Sequence, residues 1–166
     1  VGGGVKTFDT MLIDAAPRAV RAALGWLGDE QEAREAAQEA LLKAHRARTR
    51  YDQGRPFYPW LRRIVRNTCF DRIARRKHRE ASGLRDEWVA SEGPTALDRL
   101  AQEEAVEAVR RGMDRLSDGH REVLVLRHFE ELSYEEIAAV LDVPQGTVMS
   151  RLYRARKALV RALEAA

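Results

Sequence analysis

Apolar residues recur along this chain at intervals of three and four, the spacing that gathers them on one face of an α-helix. The clearest run is Phe57, Trp60, Leu61, Ile64 and Val65, at i, i+3, i+4, i+7 and i+8. Phe70, Ile73 and Ala74 carry the period beyond Asn67 and predict a further helix that ends in a basic tract. Phe57 and Trp60 lie on the stripe and are assigned to the core; Tyr58 lies off it, open to a ligand or to solvent. Ahead of this run, Phe8, Leu12, Ile13, Val20, Leu24 and Leu27 predict one kinked helix or two short ones, since Pro17 falls among them; Gly25 to Gly28 close the segment. Residues 30–50 predict another helix, with Ala33, Ala36, Ala37, Ala40, Leu41, Ala44 and Ala47 as a small-residue face. Glu35, Gln38, Glu39 and Lys43 line a different face of it at helical spacing. The turn Tyr51-Asp52-Gln53-Gly54-Arg55-Pro56 separates it from the next helix.

Periodicity fades from about Glu80 to Thr95, where Ser82, Gly83, Ser91, Gly93 and Pro94 accumulate, so a linker is expected at 81–95. Its Leu84, Trp88 and Val89 are apolar enough to dock on a partner. Helices are predicted near 95–115, 117–131 and 134–141, and from 145 to the end. Ser133 and Glu136 have the spacing of a capping box at the start of the third of these. That helix buries Ile137, Ala138 and Leu141, and the turn Asp142-Val143-Pro144 leads into one whose Val148, Leu152, Ala155 and Leu159 fall at i, i+4, i+7 and i+11. This is a helix-turn-helix pattern. An all-α fold is expected, with two small helical domains, 8–80 and 96–166, on either side of the linker.

Composition narrows the classes. The chain has 166 residues, 45% hydrophobic and 33% charged, a balance that suits packed helices and excludes wholesale disorder. No window of 18 consecutive apolar residues exists, and the start Val1-Gly2-Gly3-Gly4 lacks the pattern of a signal peptide, so a cytoplasmic location is expected. One cysteine, Cys69, leaves no internal disulfide and no cysteine metal cluster. The net charge of +3 is modest, but its placement is uneven. From Arg55 to Arg79 nine bases stand against Asp71 alone; Glu80 to Asp118 holds ten acids and five bases; Gln145 to Ala166 has five bases against Glu164. Two cationic segments about an acidic one suit two contacts on a long polyanion, although solvated helix faces can look the same.

On the last helix Ser150, Tyr153, Arg154 and Lys157 share a face at i, i+3, i+4 and i+7, with Arg151 beside it. Such a face fits a DNA major groove, where an arginine fork pairs with guanine O6 and N7 and a serine bonds either edge. An enzyme is disfavoured. His45, His78, His120 and His128 form no pair at metal-ligand spacing, Glu130-Glu131 and Glu135-Glu136 read as solvated helix ends, and Cys69 has no histidine near it in sequence. No catalytic residue, metal or cofactor is expected.

The strings Leu116-Ser117, Leu132-Ser133-Tyr134-Glu135-Glu136-Ile137-Ala138, Gly146-Thr147-Val148, Ser150-Arg151-Leu152 and Arg154-Ala155-Arg156 closely resemble region 4 of bacterial extracytoplasmic-function sigma factors. Glu35, Gln38-Glu39, Leu42-Lys43-Ala44, Pro56-Phe57, Trp60-Leu61, Ile64, Asn67 and the basic run after it resemble region 2 of the same family. The resemblance implies an alternative sigma factor, a promoter-specificity subunit of RNA polymerase without catalysis of its own. It implies that Glu35, Gln38, Glu39 and Leu42 face the clamp helices of the polymerase core, and that Asn67 lies at the pocket for an extruded base of the -10 element. Arg62, Arg63, Arg66, Arg75 and Arg76 then form a cationic track that holds the DNA backbone and Tyr58 is placed to contact DNA, while Thr147, Ser150, Arg151, Tyr153, Arg154 and Lys157 read the -35 element in a domain that touches the polymerase flap. An anti-sigma factor is the further partner implied. Without the resemblance, Asn67 also fits a helix cap between two amphipathic stretches. Three positions depart from the family pattern: Glu35 replaces aspartate, His45 an aromatic residue, and Met149 a lysine or arginine, which removes one phosphate or base contact. The competing reading is a stand-alone helix-turn-helix regulator, which leaves the Asn67 segment and the Gln38-Glu39 face unexplained.

Overall fold

The computed structural model describes residues 6–82 and 96–165. Most of the expected linker, with Leu84, Trp88 and Val89, lies outside the described residues. Among those described, the structure is all helical: α1 (Phe8–Leu27), α2 (Glu30–Arg46), α3 (Phe57–Ala81), α4 (Ala96–Asp114), α5 (Asp118–Leu124), α6 (Tyr134–Leu141) and α7 (Gln145–Glu164). A short 3-10 turn, Arg48–Arg50, follows α2, and a π-helical turn, Val125–Phe129, follows α5. By its internal contacts the chain forms two compact units, Val1–Ile73 and Ala74–Ala166, so the division falls inside α3 rather than after it.

In the first unit α1 is a single helix despite Pro17. It starts at Thr7, whose hydroxyl accepts from the Thr10 amide at 3.2 Å, and ends at Gly28 with φ 74°, a left-handed conformation that a side chain would strain. Asp29 then caps α2 by accepting from the Glu32 amide at 2.7 Å. The hairpin so formed is held by small side chains: Ala15, Ala19, Ala22 and Ala23 of α1 and Ala33, Ala36, Ala37, Ala40 and Ala44 of α2 are all buried. Alanine lets two helix backbones approach closely, so dispersion contacts replace the bulk that a leucine seam would supply.

Larger side chains fill the space under α3. Leu61, Val65, Thr68, Cys69 and Ile73 are buried along one unbroken helical stripe, with Trp26 and Leu27 from the end of α1. The break expected after Asn67 is therefore absent. Neither glycine nor proline interrupts 66–73, and the buried period passes through Thr68 and Cys69. Phe57 and Trp60 are half-buried in a cluster with Phe8 and Tyr51, where ring centroids lie 5.3 to 6.1 Å apart. Trp26 meets Phe70 edge-on at 4.8 Å.

In the second unit α7 packs against α4, α5 and α6. Gly112 lets α4 close on α7, because a Cβ there would stand 3.0 Å from Leu159 and 3.1 Å from Leu163. Arg115 donates from Nη1 to the carbonyls of Ala162 and Ala165 at 3.1 and 3.4 Å, which satisfies acceptors at the end of α7. Asp114 pairs with the buried Arg121 and, at 3.5 Å each, with Arg110 and Arg76. The capping box at α6 is complete: Ser133 Oγ accepts from the Glu136 amide at 3.2 Å, and Glu136 accepts from the Ser133 amide at 2.8 Å. Ile137, Val148, Leu152 and Ala155 are buried, as the helix-turn-helix period requires, and Leu159 is half-buried.

The alanine seam has a direct test. Replacing Ala36 by Leu will force α1 and α2 apart and cost about 1–3 kcal/mol in urea unfolding, whereas Gln38→Leu, on the exposed face of the same helix, will stay within about 0.5 kcal/mol.

Candidate nucleic-acid interface

The side chains of α2 outside the alanine seam form the first candidate surface. Glu35, Gln38 and Leu42 are exposed, Leu42 to 54%, and their spacing places them along one line of the helix. Glu39 is more enclosed. It accepts from Lys43 Nζ at 2.8 Å and from Nη2 and Nε of Arg72 at 3.2 and 3.3 Å. Arg72 also donates from Nη1 to Glu35 at 3.2 Å, and Lys43 donates to the Thr68 hydroxyl at 3.3 Å. One guanidinium from α3 thus clasps two carboxylates one turn apart on α2. The hydrogen bond from Lys43 and then those from Arg72 hold the Glu39 carboxyl below its ordinary 4.5, against the opposing effect of burial. Glu39 is consequently part of the fold as well as of the surface, and Glu39→Lys would set a third cation beside Arg72 and Lys43.

The basic run of α3 separates into engaged and available groups. Arg62 is only 5% exposed and engaged within the protein, which corrects its expected place on an open cationic track. Arg66 lies over the Phe70 ring at 4.3 Å. Arg76 is ion-paired with Asp114, so it too departs from the expectation of a free backbone contact. Tyr58 is half-buried under the guanidinium of Arg18, 3.7 Å from the ring centroid. Arg63 and Arg75 are exposed and make no hydrogen bond or ion pair among the described residues.

Asn67 is exposed in the middle of α3, with no side-chain hydrogen bond among the described residues. Its place excludes the helix-cap alternative. An asparagine here adds nothing to helix propensity, and its amide offers donor and acceptor together to an outside partner. Cys69 faces the core at 0% exposure; burial pushes its thiol up to about 12, which leaves no nucleophile at physiological pH.

On α7 the buried stripe points inward and Ser150, Tyr153, Arg154 and Lys157 are exposed together, while Thr147 and Arg151 are half-buried at the flanks. Arg154 Nε donates to the Ser150 carbonyl at 3.3 Å, and its terminal nitrogens are unengaged among the described residues. Lys157 lies 4.9 Å from the Tyr153 ring centroid. The partners of Arg72 and Arg18 were absent from the sequence reading, since they lie 33 and more residues away along the chain.

Comparison with known proteins identifies the family. Residues 12–79 match the model of sigma-70 region 2, and residues 106–159 match that of sigma-70 region 4. The RNA polymerase sigma-H factor of Pseudomonas aeruginosa is 34% identical over 98% of this chain and 89% of its own. The extracytoplasmic-function sigma factor SigW of Bacillus subtilis is 33% identical over 82% of this chain and 78% of its own. Among solved structures, the sigma factor RpoE of Bartonella quintana, crystallised with the anti-sigma factor NepR, has a TM-score of 0.64 at 26% identity, covering 96% of this chain and 98% of that one. The chain belongs to the extracytoplasmic-function sigma factors of the sigma-70 family, a family of regulatory rather than catalytic proteins. Among the described residues no helix is long and apolar enough to cross a membrane, and no cluster of His, Cys, Asp and Glu could hold a metal ion.

The clasp makes a pH-dependent contribution with a defined sign. A carboxyl whose folded value is depressed stabilises fully above its unfolded value, here 4.5, and loses that contribution as pH falls through the folded value. In urea unfolding from pH 6 down to about pH 3, the wild-type stability will therefore fall more steeply than that of Glu39→Gln. Parallel curves would show that the clasp contributes nothing.

Proposed function

We propose that this chain is an alternative sigma factor that binds the RNA polymerase core, recognises -35 and -10 promoter elements and promotes DNA melting. Residues 8–80 act as region 2 and 96–166 as region 4. The observation that carries the reading is Asn67, an exposed amide in the middle of a helix with Arg63 and Arg75 exposed on the same helix. A stand-alone duplex-binding regulator has no use for such a face, whereas melting needs cations for a single strand and polar contacts for an unstacked base.

Each surface has a physical task. The exposed line of Glu35, Gln38 and Leu42 sets an apolar contact among polar ones against the clamp helices of the core, with Glu39 and Arg72 fixing its backing. On α3, Arg63 and Arg75 draw the strand by charge, and Asn67 bonds a base edge without the cost of burying a net charge. On α7, the terminal nitrogens of Arg154 pair with a guanine while Arg151 and Lys157 hold phosphates and Thr147 and Ser150 complete the contact. The relative RpoE is bound to the anti-sigma factor NepR in its solved structure, and this chain takes an anti-sigma factor as its inhibitor.

Transcription with purified polymerase core tests the whole reading: promoter-dependent initiation on addition of the chain is expected, and duplex binding without initiation would favour the stand-alone regulator. Leu42→Asp, at an exposed position, will weaken core binding by about tenfold, roughly 1.4 kcal/mol, with unchanged thermal stability. Asn67→Ala will lower open-complex formation on the preferred promoter more than on one altered at the recognised -10 base. Arg154→Ala will cost about 1–3 kcal/mol and relax preference at one -35 position; an equal loss on every sequence would make it a phosphate contact.

A further inference from the structure

The recognition helix α7 carries an apolar pair where base-reading groups are expected. Met149 and Tyr153 are 56% and 59% exposed, four residues apart in the first half of the helix, and so adjacent on its surface. Among the described residues both side chains stay more than half exposed, although Val148 and Leu152 beside them are buried to 0% and 1%. The neighbouring polar groups are partly spent. The Ser150 hydroxyl donates to the Thr147 carbonyl at 3.0 Å, and Arg154 Nε is taken by the Ser150 carbonyl. Arg151, Arg154, Arg156 and Lys157 surround the pair with positive charge. A partner of this patch must therefore be negatively charged at its edges and apolar at its centre.

The major groove of DNA meets that description at one kind of position. Its base edges offer hydrogen-bond donors and acceptors throughout, and the single apolar group among them is the thymine C5-methyl. We propose that Met149 and Tyr153 form a seat for a thymine methyl group of the -35 element, so that this chain reads one base by apolar contact. The proposal rests on α7 being the -35 helix. The flexible thioether of Met149 closes over the methyl group, while Lys157, at 4.9 Å from the Tyr153 ring, holds that ring beside it. A 5-methylcytosine at the same place would present the same methyl group.

The test uses the full chain and the -35 duplex it selects from a random pool, with each thymine replaced in turn by deoxyuridine, which removes only the methyl group. At one position affinity will fall about fourfold, the effect of one methyl group withheld from an apolar site. Met149→Ala will bind the thymine and deoxyuridine duplexes with nearly equal affinity, and 5-methylcytosine will restore binding over cytosine for wild type alone. Equal affinity of the wild type for thymine and deoxyuridine at every position overturns the seat. If Arg154→Ala still weakens the duplex in that case, α7 remains the -35 helix and only the methyl contact is lost. If Arg154→Ala also has no effect, the reading of α7 fails with it.

Discussion

Arg72 joins the two faces on which the first unit depends. From α3 it reaches back to Glu35 and Glu39 on α2, three nitrogens on two carboxylates at 3.2 to 3.3 Å, while Lys43 ties Glu39 to Thr68 from the other side. Exposed ion pairs are worth little singly, because water competes for both partners. Here the Arg72 side chain is only 24% exposed and the groups form a network, so the clasp fixes rotation and register between two helices. The proposed polymerase-binding line and the Asn67 face are carried on those same two helices, and their spacing follows from this contact.

The clasp works because the packing beneath it is tight. Alanines on α1 and α2 bring two backbones together with little side-chain freedom to lose, and the larger residues Trp26, Leu61 and Val65 fill the remaining volume under α3. The second unit reaches the same end by other means. Gly112 allows α4 to close on α7, and Asp114 neutralises the buried Arg121, which without it would be an uncompensated charge. The helix faces left to solvent include the unengaged Arg63 and Arg75, the Asn67 amide and the Met149–Tyr153 pair.

Clustered charge is accordingly a poor guide to individual roles. Nine bases between Arg55 and Arg79 look alike in sequence. In the fold Arg62 is buried, Arg66 stacks on Phe70, Arg72 clasps α2 and Arg76 pairs with Asp114, while Arg63 and Arg75 remain open. Their total charge attracts a polyanion at long range, but only the open ones can touch it.

By itself the sequence determined the helices, since periodicity, caps and turn residues act over a few positions. The capping box of Ser133 and Glu136, the turn before Gln145 and the buried stripe Val148, Leu152 and Ala155 were all legible in it. Both family motifs were legible for the same reason, being short strings on single helices. Continuity of α3 was not, because whether a polar Asn67 interrupts a helix depends on whether Thr68 and Cys69 find a core to enter. Nor were the partners of Arg72, Arg18 and Asp114, whose choice among many equivalent charges and rings is made by which helices pack together. Tertiary structure decided which side chains are spent on holding the fold and which are left to act, because burial and pairing are properties of neighbours distant in the chain.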